Sequence, residues 1–392
     1  MRQRGKSPPT ENKPQNFIPE PLIRQFMPEL DTLRGIAVLA VVFFHGFARQ
    51  YDALPFDGAA RLWLSLTAPG WLGVNLFFVL SGFLITGILL ESRRKPHYYT
   101  RFYTRRALRI LPAYYSLLVL LAVLHESSAA FLGLSFVYLS NLASFFGASM
   151  GYGPLWSLSV EEHYYILWPT VVHKLHTRYL VVFLVLICAV VPIARGISFH
   201  TGHYQGLDSY TWFVADGLAI GSLMAILLRT PVSRNQLVAL CTFLLGFISL
   251  VAIAGGPFGI LNRQRLLGAT LLYTVANLFF AGFLLVFLLL GTGPRKRSVN
   301  SSLLRFLGYI SYGLYLIHML AFRVYDRAAH RYWPQLLPSV GHFDLVVLRF
   351  AVAGGAAIVL AYLSRKYFED RFLRLKDRVA ATPKPLGRNP AP

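Results

Sequence analysis

Charge is scarce in this chain, and acid is the scarcest part of it. Only 14% of the 392 residues are charged, with 17 Asp and Glu against 38 Lys and Arg. Soluble globular domains carry about 25% charge. The shortfall, with 55% hydrophobic residues and a mean hydropathy of +0.50, indicates a polytopic membrane protein. Cysteine is nearly absent as well. Cys188 and Cys241 both lie inside apolar runs, which excludes a disulfide framework and a cysteine metal site. There is no HExxH, no clustered His/Cys ligand set and no P-loop, so a bound metal and direct use of ATP have no support. The first thirty residues lack the hydrophobic core of a cleavable signal peptide. A net charge of +21 in a soluble protein would suggest nucleic acid. Here the bases sit between apolar runs, so topology explains them and no nucleic-acid partner is expected.

What is present is a series of long apolar segments. About ten are long enough to span the hydrocarbon core, near 33–50, 71–91, 109–125, 158–173, 179–195, 211–228, 236–254, 266–290, 306–323 and 345–364. The expected fold is all-α, with about ten transmembrane helices. A further stretch, 129–147, is interrupted by Gly133, Ser135, Ser140 and Asn141. If it does not cross, about 28 of the 38 Lys and Arg fall on one side of the membrane, as the positive-inside rule requires with both termini cytoplasmic. If it crosses, that asymmetry vanishes, so it reads as re-entrant or interfacial. The chain divides into a basic tail (1–28), a membrane domain (29–376) and a second tail (377–392) rich in Pro and Ala. Arg365, Lys366, Arg371, Arg374 and Lys376 suit contact with anionic membrane lipids.

Several segments carry polar groups that lipid does not tolerate unpaired. Arg34 and His45 lie eleven residues apart on one face of the first apolar helix, roughly 16 Å apart along its axis, and should face protein or a wet cavity. Arg106 and Arg109 project from one helix face at the mouth of a span. Paired guanidiniums match phosphate oxygens, although a plain positive-inside anchor would look similar. Trp156, Ser157, Glu161, Glu162 and His163 form the densest polar cluster, at the outer end of a span. A helix cap accounts for one or two of them, and an acid–base or hydroxyl-binding site accounts for more. Ser157 with Glu161, and Ser159 with His163, are spaced as i, i+4 pairs. Asp216 reads as an isolated intramembrane carboxylate, and Ser311, Tyr315 and His318 form a polar stripe in an apolar helix.

Together these stretches resemble the membrane-bound acyltransferase family 3. The resemblance is carried by Leu30-Asp31-Thr32-Leu33-Arg34-Gly35 with His45, Phe77 to Thr86, Arg106 to Pro112, Leu155 to Glu162, Ser311 to His318 and Tyr367 to Leu373, in the family's order. It implies transfer of an acyl group, usually acetyl, from cytoplasmic acyl-CoA to a hydroxyl. The acceptor would be a carbohydrate or glycosylated molecule of the cell envelope, and the enzyme would sit in a bacterial inner membrane. By the resemblance, His45 is the general base and Arg34 its functional arginine, while Arg106 and Arg109 bind CoA. Glu161 and Glu162 would orient the acceptor hydroxyl, with Trp156, Ser157, His163, Tyr315 and His318 as substrate-binding candidates. The family's EEQFY is here Glu161-Glu162-His163-Tyr164-Tyr165. Its usual arginine two residues before the aspartate is Val214, so no family role is carried over to Asp216. No hydrolase-like domain is expected after 376. The rival reading is an exporter of a glycan or lipid-linked intermediate, a class that often shows repeated halves, and none is visible here.

Overall fold

The computed structural model describes residues 22–24, 27–51, 54–292, 296–338 and 341–379, and among them every regular element is helical. The expected tails fall largely outside these residues. Helix α1 (Pro28–Phe43) runs on through a π turn, Phe44–Ala48. The amphipathic α2 (Gly58–Thr67) leads into α3 (Gly73–Ser92), and α4 (Tyr98–Val123) returns. After α5 (Ala129–Phe136) come α6 (Leu155–Lys174), α7 (Thr177–His200), α8 (Thr211–Leu227), α9 (Arg234–Gly255) and α10 (Leu266–Gly291). The chain closes with α11 (Ser302–Tyr309), α12 (Ser311–Tyr332), α13 (Phe343–Arg349), α14 (Gly355–Leu363) and α15 (Asp370–Val379).

Among the described residues, seven helical runs are long and apolar enough to cross a membrane, and α11 with α12, bent by 78° at Ile310, makes an eighth if the pair is one span. Two more complete the ten expected segments. Helix α6 has 20 residues but carries the polar cluster, and α8 is apolar but has only 17. Helix α5 has eight residues, about 12 Å, and does not bridge a core of ~30 Å. Ser128 caps it by accepting from the Phe131 N–H at 3.3 Å. Both cysteines are free.

Two helix crossings set the register of the core, and each depends on a reciprocal pair of glycines. Where α3 crosses α8, a Cβ on Gly82 would lie 2.1 Å from the Leu218 carbonyl oxygen, and one on Gly221 would lie 2.0 Å from that of Val79. Where α1 crosses α11, a Cβ on Gly35 would lie 2.0 Å from the Leu304 oxygen, and one on Gly308 would lie 1.9 Å from that of Asp31. Lipid is as apolar as leucine, so close backbone approach of this kind replaces the hydrophobic drive between helices.

One end of the bundle carries the start of α1, the end of α3 and the start of α4, together with Arg93, Arg94, Lys95, Arg101 and Arg105. It is the basic end.

A polar track from the basic end to a histidine pair

Near the basic end a cavity of about 100 Å³ is lined by Arg34 from α1, Arg106 and Arg109 from α4, and Ser81 from α3. Glu161, Glu162 and Tyr165 of α6 and Ser311 and Tyr312 of α12 complete its polar wall. Arg34 pairs with Asp31 at 2.9 Å. Arg106 lies over the Tyr165 ring, with Cζ 4.7 Å from its centroid. Neither Arg106 nor Arg109 has a carboxylate within ion-pair distance among the described residues. Arg106 is half-buried and Arg109 exposed, and two forked guanidiniums without carboxylate partners on one cavity wall favour an anionic occupant. Arg34 therefore belongs with the arginine pair.

The carboxylates face the same space, from well inside α6. Glu161 accepts from Ser81 Oγ at 2.7 Å and from the Tyr165 hydroxyl at 3.0 Å, so its side chain is held from two helices. The expected i, i+4 pairings are not made. Ser157 Oγ instead shares a hydrogen bond with the Tyr315 hydroxyl at 2.6 Å, and Ser159 Oγ with Ser140 at 2.8 Å. The reason lies in the loop before α6. Tyr152, fully buried, donates to the Leu316 carbonyl at 2.7 Å and accepts from the Leu320 N–H at 2.9 Å. That staple ties the start of α6 to the middle of α12 and sets Ser157 against Tyr315.

Beyond Tyr315 the track continues to two imidazoles. The Tyr315 and His318 ring centroids lie 5.9 Å apart, and those of His318 and His45 lie 5.0 Å apart. His318 is fully buried, and His45 is partly accessible. His318 Nδ1 faces the carbonyls of Tyr315 at 2.8 Å and Leu314 at 3.2 Å. A carbonyl only accepts, so Nδ1 carries the hydrogen and Nε2 of the neutral ring is bare. That Nε2 lies 3.3 Å from His45 Nδ1, which also lies 3.0 Å from the Val41 carbonyl. Both neighbours of His45 Nδ1 are acceptors. Its hydrogen is placed there by the network, and Nε2 is left as the free base.

The backbone beneath His45 is clamped. The π turn widens α1 at this residue, a distortion common at functional sites. Arg349 of α13 donates to the Gly46 carbonyl at 3.3 Å and to Gln50 Oε1 at 3.0 Å, and grips Asp326 through Nε and Nη2 at 2.5 and 2.7 Å. Phe350 stacks on Phe47 at 4.5 Å, and a Cβ on Gly46 would meet its ring at 2.4 Å. Only glycine fits there.

Three sequence-based candidates fall elsewhere. Trp156 sits edge-on to Phe78, with centroids 6.0 Å apart, and does not line the cavity. His163 Nδ1 bonds Thr211 Oγ1 at 2.7 Å, away from the cavity. Asp216 is not isolated. Arg195 of α7 reaches both its oxygens at 3.1 and 3.4 Å, and Thr274 of α10 donates to it at 2.6 Å. Both charged side chains are fully buried, so Asp216 is half of an ion pair joining α7, α8 and α10. At the lipid-facing cluster, Arg365 is turned inward, onto Glu369 and Asp370 at 3.4 and 3.6 Å.

Comparison with known proteins adds a family. A family model described as an acyltransferase domain matches residues 27–366. The chain is 33% identical to "Peptidoglycan O-acetyltransferase OatA" of Listeria monocytogenes over 169 residues, 37% of this chain and 24% of that one. It is 26% identical to "Putative O-acetyltransferase SAS0844" of Staphylococcus aureus over 396 residues, 92% of this chain and 59% of that one. It is 28% identical to "Putative acetyltransferase ORF330" of Acidianus two-tailed virus over 308 residues, 76% of this chain and 84% of that one. The chain thus covers less than two thirds of the Listeria and Staphylococcus proteins. No solved structure matches it.

Proposed function

The chain belongs to the acyltransferase family whose domain spans residues 27–366, and on that premise we propose that it is a multi-pass membrane O-acyltransferase. It takes an acyl group, acetyl in the simplest case, from acyl-CoA on the cytoplasmic side and passes it to a hydroxyl of a carbohydrate or glycosylated acceptor. The basic end is then cytoplasmic, as the positive-inside rule requires, and the host membrane is the inner membrane of a bacterial cell. One observation carries the reading. From the cavity rimmed by Arg34, Arg106 and Arg109, a line of polar side chains, Ser157, Tyr315 and His318, runs to His45.

The cavity has room for several waters or an acyl end, and far too little for a nucleotide. The diphosphate of the donor therefore stays at the mouth, where the forked guanidiniums of Arg106 and Arg109 match its oxygens. The pantetheine arm directs the thioester inward, past Ser81 and Glu161. His45 Nε2 takes the proton of the acceptor hydroxyl, whose oxygen attacks the thioester carbon. A C–O bond forms and the C–S bond breaks, and the departing sulfur receives the proton from the imidazolium. The Tyr315 hydroxyl is the phenol best placed to donate to the developing oxyanion.

The test is CoA release from radiolabelled acetyl-CoA by protein in nanodiscs. Release is expected to fall about 10²- to 10⁴-fold for His45→Ala. Arg106→Ala with Arg109→Ala should raise the KM for the donor, since hydrogen bonds to charged groups contribute about 1.5–3 kcal/mol each, roughly 10- to 150-fold per arginine. A parent that neither binds nor consumes acyl-CoA of any chain length overturns the reading.

A further inference from the structure

A second cavity lies at the end of the bundle opposite the arginines, between the α7–α8 connection and the α9–α10 connection. It has a volume of about 370 Å³ and is lined by Phe199, Tyr204, Asp208, Arg263, Gln264 and Tyr273, among others. Its walls are two edge-to-face ring pairs. Phe199 and Tyr204 have centroids 4.9 Å apart at 76°, and Tyr273 meets Trp71 at 5.4 Å and 65°. Between them stand planar polar groups. Arg263 lies over the Trp71 ring, with Cζ 5.6 Å from its centroid, and its Nη1 is 3.8 Å from Asp208.

An aromatic belt at the membrane interface would put Tyr and Trp at this depth without any site. Two features separate the cavity from a belt. Belt residues turn outward, whereas Tyr273 is only 4% exposed, at the cavity wall. A belt also has no need of an Arg–Asp pair with a glutamine beside it. The charges here cancel, and both charged side chains are more than half exposed, so the site offers paired donors and acceptors and no net charge. An anion gains little from such a site. A neutral pyranose ring matches it, with apolar C–H faces for the rings and a fan of hydroxyls for the guanidinium, carboxylate and amide.

A run of contacts links the cavity wall to the segment that carries the reactive histidine. Trp71, in contact with both Arg263 and Tyr273, follows Gly70, whose added Cβ would lie 2.2 Å from the Ala40 carbonyl oxygen and 3.0 Å from the Phe44 Cβ. Phe44 immediately precedes His45 in the π turn that continues α1. We infer that this cavity is an acceptor subsite, which holds a neutral hexopyranose unit of the glycan on the outer face. The inference rests on the acyltransferase reading for its place in the reaction, but not for the binding itself.

The test is isothermal titration and saturation-transfer NMR on the full chain in nanodiscs, with chitotetraose and maltotetraose as probes and no acyl donor present. Saturable binding to the parent is expected for at least one probe, weakened about 2- to 10-fold by Tyr204→Ala and by Arg263→Ala. Both positions are exposed, so the fold should survive, and an unchanged melting temperature checks this. Absence of saturable binding by the parent overturns the subsite, and so does binding that neither substitution weakens. A parent that binds the probe but never releases CoA refutes the transferase reading and leaves the subsite standing.

Discussion

Replacing His318 by leucine separates a positioning role from a packing role. His318 is fully buried, and its Nδ1 satisfies only carbonyls that already lie within α12. Leucine fills much of the same volume and leaves no unpaired donor, so the fold should hold. What disappears is the acceptor 3.3 Å from His45 Nδ1. A hydrogen bond of this kind contributes about 0.5–1.5 kcal/mol net, which corresponds to roughly a 2- to 13-fold fall in rate. The Val41 carbonyl, at 3.0 Å, still holds the Nδ1 hydrogen, so the tautomer is not lost outright. Looser orientation of the ring adds to the loss, up to about 100-fold where a misplacement approaches 1 Å. The expected outcome is thus a kcat reduced about 10-fold with the KM for the donor little changed. The decisive assay is the double substitution with His45→Ala. A group that acts only through His45 has nothing left to position once His45 is gone, so the pair should be no slower than His45→Ala alone. If the two losses multiply instead, His318 contributes independently of His45 and the positioning argument fails.

Two further substitutions test the scaffold. Arg195→Met should lower stability by about 3–5 kcal/mol, because it strands the buried Asp216 carboxylate. Thermal unfolding in detergent should show the loss, and Arg195→Met combined with Asp216→Leu should recover most of it. Recovery only through restored charge would refute this account. Gly221→Ala places a Cβ 2.0 Å from the Val79 carbonyl, a backbone atom that cannot step aside. Overpacking of well-filled cores costs about 1–3 kcal/mol. A lowered melting temperature is therefore expected, whereas Gly246→Ala, on a surface with nothing nearby, should leave it unchanged.

What was legible in the sequence was local. Arg106 and Arg109 share a helix face by spacing alone, and the structure keeps them on one cavity wall. The ten helical segments follow from runs of apolar residues. The partners of the polar groups were not legible, because they come from distant helices. Asp216 reads as isolated in the sequence because its partner Arg195 stands on α7, 21 positions away, while the residue two before it is Val214. Spacing alone pairs Ser157 with Glu161, whereas a buried tyrosine in the preceding loop commits it to Tyr315.

His45 and His318 show the same limit at the site itself, since 273 positions separate them. Each was visible as a polar residue in an apolar helix, but their meeting depends on the register between α1 and the bent α11–α12 pair. That register has a signal in the sequence. Gly35 and Gly308 are the two positions at which the α1 and α11 backbones interlock, one against the Leu304 carbonyl and the other against that of Asp31. Once those two contacts fix the depth of α11 on α1, the bend at Ile310 aims α12 along the upper part of α1. The polar stripe of α12 then has one place to go. Tyr315 comes to the end of the arginine-lined cavity, and His318, one turn further, comes to His45. A glycine that looks like spacing in the first helix thus sets the distance between the proposed base and the residue that orients it.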